Sequence, residues 1–174
     1  MRRFRFFFVM VAAIAGAAAC ASTGGARPVA FPGAPVPSAA RDAARVTALR
    51  QGIVETALAL RGVQYRLGGA DPATGFDCSG LVQYVFTQHA VDVPRTVAEL
   101  YDDEPRLKTS DVGAGDLIFF AIDASEPTHV GIAIDDRQFV HAPGTGRVVR
   151  VERFDTPYWQ SHFKGAARPV RLQD

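Results

Sequence analysis

The sequence has few cysteines, almost no net charge and no apolar run long enough to cross a membrane. Two cysteines among 174 residues exclude a disulfide-dense scaffold. The 19 basic and 18 acidic residues give a net charge of +1, so the basic excess typical of nucleic-acid-binding proteins is absent. A phosphate-binding loop and a metal-type CxxC pair are also absent. Hydrophobic residues make up 48% and charged residues 21%, which is the composition of an ordinary packed domain.

Residues 1–19 have the features of an export signal rather than of a folded domain. Three arginines precede an apolar stretch of 14 residues, Phe6 to Ala19. A spanning helix needs about 20 apolar residues, whereas a basic start and a short apolar run are typical of a signal peptide. A retained membrane anchor is the alternative. Removing the three arginines with the signal leaves 16 basic and 18 acidic residues, so the exported chain carries a net charge of −2.

Cys20 follows a run of small residues and has two interpretations. The segment Ala17-Ala18-Ala19-Cys20 is similar to a bacterial lipobox, in which the cysteine is lipidated, although Ala17 stands where leucine is usual. Ala17 and Ala19 also fit an ordinary signal-peptidase site, which would leave Cys20 free. We favour the lipoprotein, because the Pro/Gly/Ala-rich residues 20–41 can form an extended tether to a lipid anchor. We therefore expect an exported cell-envelope protein, anchored to the periplasmic face of a membrane through its N-terminal lipid.

Residues 42–174 are predicted to fold as one α+β domain. Apolar residues recur at three- and four-residue steps from Asp42 to Gly62, which indicates an amphipathic helix. Asp77 and Thr96 can each cap a further helix. The period then changes, and short β-branched or aromatic runs predict a final strand at Val170 and earlier strands at 116–122, 129–134, 138–142 and 147–151. This order favours N-terminal helices packed on a mostly antiparallel β-sheet.

Cys78 is the one cysteine of this domain, so it has no partner for a disulfide within the domain. A free cysteine is most often buried, inert packing. The predicted cap at Asp77, however, puts Cys78 at the first position of a helix, where unpaired N–H groups and the helix dipole favour an anion. We expect this position to lower the pKa of the thiol and to make it a nucleophile. The small residues Ser79 and Gly80 leave room for a substrate.

A nucleophilic thiol needs a base, and two of the four histidines fall in neighbouring predicted strands. A hairpin that turns near Asp135 would bring His129 and His141 within about one residue of direct opposition, with their β-carbons roughly 5 Å apart. Two imidazoles held side by side can act as a base and an orienting group. Two unrelated histidines of a sheet are the alternative.

The order of several motifs resembles that of one enzyme family. FDCSGLVQYVF, PRT, GDLIFF, HVGIAI and FVHA follow one another as in the NlpC-type peptidoglycan endopeptidases, which are papain-like cysteine peptidases, from about Gly62 to the chain end. The resemblance implies that Cys78 is the nucleophile, His129 the general base and His141 the orienting group, with the hydroxyl of Tyr65 directed toward the site. The implied substrates are the stem peptides of the bacterial cell wall, cut at a bond involving D-glutamate or diaminopimelate.

Further expectations concern the groups around this triad. The backbone N–H of Cys78, together with Tyr65, is expected to stabilise the oxyanion of the reaction. Asp77 and Ser79 either touch the substrate or only cap the helix. Arg95 is expected to be a surface charge.

The triad also sets an expected pH dependence. His141 must be neutral to accept a hydrogen bond from His129, so we expect activity to fall as the pH drops through the histidine range near 6.5. Trp159 is expected to be a packing residue. The alternative functions are an amidase or acyltransferase with the same Cys–His pair and a non-catalytic wall-binding lipoprotein. We expect no cofactor, no metal ion, no nucleic-acid partner and a monomer.

We predict that Cys20→Ser releases the protein from the membrane fraction, because serine has no thiol to carry the lipid. Cell fractionation with immunoblotting measures the distribution. Cys78→Ser is the matched control, since it makes the same substitution and keeps Cys20. Equal membrane partitioning of the Cys20 variant and the wild type would contradict the lipid anchor.

Overall fold

The computed structural model describes residues 37–173. The predicted signal peptide, Cys20 and most of the predicted tether lie outside the described residues. Among the residues that are described, no helix is long and apolar enough to span a bilayer.

The first helix, α1, is longer at its start than the sequence pattern indicates. It runs Ser38–Ala59 and so begins four residues before Asp42. Pro37 precedes it, and two alanines with high helix propensity follow its first residue, which favours the earlier start. The last residues of the predicted tether are therefore helical. The helix ends before Gly62, whose φ of +91° is incompatible with a continued helix.

Both predicted helix caps are confirmed. A two-stranded hairpin of β1 (Ala70–Asp71) and β2 (Gly75–Phe76) leads into α2 (Cys78–Thr87). The side chain of Asp77 accepts a hydrogen bond from the N–H of Gly80 at 2.7 Å, which satisfies one of the free donors at the start of α2. The helix α3 (Val97–Asp103) begins with a reciprocal capping box between Thr96 and Glu99.

A six-stranded, fully antiparallel sheet follows the helices and confirms the α+β architecture. Its strand order is β3-β8-β4-β5-β6-β7. The strands are β3 (Arg106–Leu107), β4 (Leu117–Phe120), β5 (His129–Ala133), β6 (Gln138–His141), β7 (Arg150–Arg153) and β8 (Phe163–Ala167), with the short helix α4 (Pro157–His162) between β7 and β8.

The predicted last strand at Val170 is wrong. Val170–Leu172 is a turn of 3₁₀ helix, and the last strand is β8, which ends at Ala167. Pro169 has no N–H to contribute to a ladder, so pairing ends before it. Val170 is 64% exposed, whereas Leu172 is fully buried. β8 pairs with β4 inside the sheet instead of at its edge.

Two apolar clusters cover the two faces of the sheet. The helices α1 and α2 pack with alternate residues of the strands, which include Phe119, Val130 and Ile132. On the opposite face, Phe120 and Trp159 belong to a second cluster. Every residue of β4 is buried because its two faces are both covered, which explains the continuous apolar run LIFF.

The hairpin of β5 and β6 turns one residue later than expected. Ile132 lies opposite Val140, so extension of this register places Gly131, and not His129, opposite His141. The Asp135 carboxylate accepts hydrogen bonds from the N–H groups of Arg137 and Gln138, both at 2.7 Å, and this holds the turn. The two histidines are therefore diagonal neighbours on one face of the sheet, two residues from direct opposition.

We predict that Gly131→Ala destabilises the domain by about 1–3 kcal/mol, as overpacking of a core does. A β-carbon at this position would lie 2.4 Å from Cδ2 of the buried Phe139 ring. Thermal and urea unfolding measure the effect. Gly113→Ala is the control, because its β-carbon would meet only the end of the Arg50 side chain, at 3.2 Å. Equal stability of the two variants would contradict the close packing.

Candidate active site

The thiol of Cys78 lies at the junction of α2 and β5. Cys78 is the first residue of α2 and is half-buried. The backbone N–H groups of Val130 and Ser79 lie close enough to the sulfur to lower the pKa of the thiol. Because Val130 follows His129 on β5, this contact brings the thiol next to the predicted base.

The expectation of a lowered thiol pKa is wrong. Burial raises the pKa of Cys78 above its ordinary value, and the negative charge of Asp77 raises it further. The backbone N–H groups at the helix start lower the pKa, but burial outweighs them. The thiol is therefore protonated in the resting site at neutral pH, and it needs a base when it reacts.

His129 and His141 form a buried, hydrogen-bonded pair. Nε2 of His129 lies 2.7 Å from Nδ1 of His141, and the ring planes are nearly perpendicular. His129 is 5% exposed and His141 is fully buried. The indole of Trp159 stacks on His129 and packs edge-on against His141, so it fixes both rings. Trp159 is thus a packing residue, as expected, and what it packs against is the histidine pair.

Both imidazoles are neutral at neutral pH. Burial lowers the pKa of His129 to about 3, and the neighbouring His141 contributes in the same direction. The pKa of His141 is also lowered, again by burial first. A neutral pair can share one proton between its nitrogens, so a donor and an acceptor face each other across the 2.7 Å contact.

A carboxylate lies on the far side of His141, and the sequence analysis missed it. Oε1 of Glu152 is 3.4 Å from Nε2 of His141, although the angles fall short of a hydrogen bond. Nε1 of Trp159 donates to the other oxygen at 2.6 Å, and Arg150 forms an ion pair with the same carboxylate. The contact with His141, followed by that with Trp159, lowers the pKa of Glu152 to about 2 despite its burial.

Comparison with known proteins assigns a family to the domain that contains the helix-start cysteine and the histidine pair. Residues 62–168 match the NlpC/P60 family. The chain belongs to this family. The match covers both strands of the histidine pair, α2 and the hairpin that precedes it.

Relatives of the NlpC/P60 domain include two Escherichia coli proteins. The probable endopeptidase YafL is 40% identical over 111 residues, which are 62% of this chain and 45% of YafL. The murein DD-endopeptidase MepH is 38% identical over 111 residues, which are 62% of this chain and 41% of MepH. The chain thus spans less than half the length of these relatives.

Solved NlpC/P60 structures have the same fold. A protein from Staphylococcus aureus described as similar to lipoprotein, of the NLP/P60 family, has a TM-score of 0.64 and 36% identity over 71% of this chain and 42% of its own. The NlpC/p60 domain of the peptidoglycan hydrolase SagA has a TM-score of 0.60 and 32% identity over 68% of this chain and 97% of its own. The papain-like fold expected from the sequence is confirmed.

Asp77 and Ser79 are held by a cation that the sequence analysis placed on the surface. The guanidinium of Arg95 donates to both carboxylate oxygens of Asp77, at 3.0 and 2.8 Å, and to the hydroxyl of Ser79 at 2.9 Å. Asp77 also accepts from the N–H of Gly68 at 2.9 Å. Asp77 and Ser79 are only 9% and 5% exposed. Their contacts favour the capping role over direct contact with substrate.

Tyr65 lies near the thiol, as expected. Its side chain is half-buried against the core that includes Cys78. Burial raises the pKa of the Tyr65 phenol, and repulsion from an ionised Cys78 and from Asp77 raises it further. The phenol therefore stays protonated at neutral pH and remains a hydrogen-bond donor beside the thiol.

The lowered pKa values of the two histidines move the expected loss of activity from near pH 6.5 to a lower pH. A base with a pKa of about 3 keeps its free electron pair as the pH falls through 6.5. We predict that kcat/KM is nearly constant from pH 8 to about pH 5 and falls only below that range.

A continuous assay across this pH range, with circular dichroism at each pH, tests the prediction. The spectroscopic control is needed because buried neutral histidines make the folded state less stable as the pH drops below 6.5, where the unfolded chain binds more protons. A tenfold loss of kcat/KM between pH 7 and pH 5.5 in folded protein would contradict it.

Proposed function

We propose that this protein is a peptidoglycan hydrolase that cuts amide bonds of cell-wall stem peptides, at D-glutamate or diaminopimelate, through the thiol of Cys78. The observation that carries the proposal is the neutral His129–His141 pair, together with the proximity of Val130, the residue after His129, to the thiol. The YafL and MepH relatives, both named as endopeptidases, support the reaction class. The buried hydrogen bond between the histidines argues against two unrelated sheet residues.

The geometry supports distinct roles for the two nitrogens of His129. Its Nε2 is engaged with His141, which leaves Nδ1 as the nitrogen available to the thiol. Nδ1 takes the thiol proton while the sulfur of Cys78 forms a bond to the carbonyl carbon of the substrate. His129 then gives that proton to the leaving amine as the C–N bond breaks, and an acyl-enzyme remains.

Hydrolysis of the acyl-enzyme uses the same groups again. His129 accepts a proton from water as the water oxygen attacks the acyl carbon, and the proton returns to sulfur when the C–S bond breaks. In both steps the negative charge collects on the carbonyl oxygen. The N–H of Cys78 at the start of α2 and the phenol of Tyr65 are the donors proposed to stabilise it.

The charge around the site supports an acidic peptide as the substrate. A cavity of about 950 Å³ lies against His141 and Trp159, on the side of the histidine pair away from the thiol, and its charged lining residues are Arg147, Arg150, Arg153 and Glu152. Arg150 and Arg153 are paired with carboxylates, whereas Arg147 is exposed. Stem peptides cut at D-glutamate or diaminopimelate carry free carboxylates, which the exposed Arg147 attracts.

We propose further that the hydrolase works in the cell envelope. Its family of cell-wall enzymes suggests a location outside the cytoplasm. The proposed lipid on Cys20 would then hold it at the membrane, with residues 20–41 as the connection to the domain. We propose that it acts as a monomer, because the thiol and both histidines of the site come from one chain.

We predict that Cys78→Ala abolishes muropeptide cleavage, with a loss on the order of 10³-fold or more, since no other group supplies the nucleophile. Mass spectrometry of purified muropeptides after digestion measures this. Cys78→Ser is a matched variant of nearly equal size, and thermal unfolding shows that both variants fold.

The product masses separate the proposed function from its alternatives. Two fragments whose masses sum to that of substrate plus water indicate hydrolysis and identify the bond. A product with a transferred acyl group would indicate an acyltransferase. Equal digestion by the wild type and by Cys78→Ala would overturn the cysteine peptidase.

A further inference from the structure

The line of side chains that starts at Cys78 extends one residue beyond the histidine pair. His141 presents Nδ1 to His129 and Nε2 to the carboxylate of Glu152, on β7. In the sheet, Arg150 lies opposite His141, so Glu152 is its diagonal neighbour on the same face. Glu152 takes part in none of the proton transfers of the proposed mechanism.

We propose that Glu152 is a positioning residue that selects the tautomer of His141 and, through it, that of His129. This inference rests on the proposed function, because it assigns a task within the same reaction. It concerns a residue that lies outside every motif by which the sequence resembles its family.

Hydrogen-bond complementarity carries the argument. An ionised carboxylate can only accept, so it favours a proton on Nε2 of His141. Nδ1 of His141 then has a free electron pair and accepts from Nε2 of His129 across the 2.7 Å contact. With its proton on Nε2, His129 has a free electron pair on Nδ1. That electron pair is the one required to take the thiol proton.

The surroundings hold Glu152 in its ionised form and in one place. Arg150 pairs with the carboxylate, and the indole N–H of Trp159 donates to Oε2 at 2.6 Å. Trp159 occupies Oε2, while Oε1, which also pairs with Arg150, faces His141 at 3.4 Å. The charged groups that face His141 are thus Glu152, which favours its protonation, and Arg150 and Arg147, which oppose it.

Charge stabilisation is a second consequence of the same geometry. His129 becomes an imidazolium when it takes the thiol proton, and burial disfavours that charge. The negative charge of Glu152 favours it across the intervening ring of His141. A carboxylate on the far side of His141 from the base therefore supports both the resting tautomer and the charged intermediate.

Glu152→Gln tests the inference. The amide oxygen can still accept from Trp159, which turns the amide N–H toward Nε2 of His141, where a second donor disfavours the required tautomer. We expect kcat to fall on the order of 10- to 100-fold. The alkylation rate of Cys78 by iodoacetamide at pH 7 should fall in parallel.

Nitrogen NMR of the histidine rings gives a readout that a structural role would not change. The chain has only four histidines, so the His129 and His141 signals can be assigned from single substitutions. In the wild type we expect the proton of His141 on Nε2, and in Glu152→Gln on Nδ1 for a substantial fraction of molecules. Asp155→Asn is the matched control, because Asp155 also pairs with an arginine of β7 but faces neither histidine.

The outcomes are separable from those of the proposed function. An unchanged histidine tautomer together with a kcat equal to that of Asp155→Asn would overturn the positioning role. If Glu152→Gln is too unstable to assay, Glu152→Asp, which keeps the charge but shortens the side chain, must show the same loss of kcat and of alkylation rate. Failure of the hydrolase itself would appear separately, as equal digestion by the wild type and by Cys78→Ala, and would leave the tautomer result standing.

Discussion

The hydrogen bond between His129 and His141 is the interaction on which the site depends. Two imidazoles with 5% and 0% exposure have lost their contact with water, so each needs a partner within the protein. They satisfy each other at 2.7 Å through Nε2 of His129 and Nδ1 of His141, and burial keeps both rings neutral. The nitrogen of His129 that remains is the one left for the thiol. A single buried contact thus determines both the stability and the chemistry of the pair.

This contact exists because of the sheet register. His141 lies on β6, and its two polar partners lie diagonally on the flanking strands, His129 on β5 and Glu152 on β7. Gly131 occupies the opposed position on β5, and its lack of a side chain lets the Phe139 ring pack there. A slip of one residue in either ladder would turn one partner to the other face of the sheet. The register of the antiparallel sheet therefore aligns His129, His141 and Glu152.

Local signals predicted the local parts of the molecule. The Asp77 cap, the Thr96 capping box and the helix that begins at Cys78 follow from hydrogen bonds within four residues, and the sequence contains all the partners. The motifs from FDCSG to FVHA identified Cys78, His129 and His141 as the candidate catalytic residues. The strand predicted at Val170 considered only its β-branched side chain. It did not consider Pro169, which has no N–H and ends the pairing before Val170.

Long-range effects were outside the reach of the sequence pattern. The lowered pKa expected for Cys78 considered only the helix start, whereas burial by the packed sheet has the larger effect. Arg95 has a partner 18 residues away in sequence, and nothing in its own neighbourhood indicates a bidentate contact with Asp77. Glu152 occurs in an ordinary polar strand. Only the alternation of side chains between the two faces of this strand, which puts Glu152 on the same face as His141, could have indicated it.

The raised thiol pKa and the lowered histidine pKa values have one common cause and one common consequence. Burial disfavours every charged form, so the resting site holds a neutral thiol and a neutral base instead of an ion pair. A neutral resting site avoids the cost of two desolvated charges. In the proposed reaction, charge then develops only at the carbonyl oxygen near the start of α2 and on His129. The first is met by the N–H groups of the helix start, and the second by the carboxylate of Glu152 across His141. In this proposal, the fixed groups of the fold are arranged around charges that arise in the transition state.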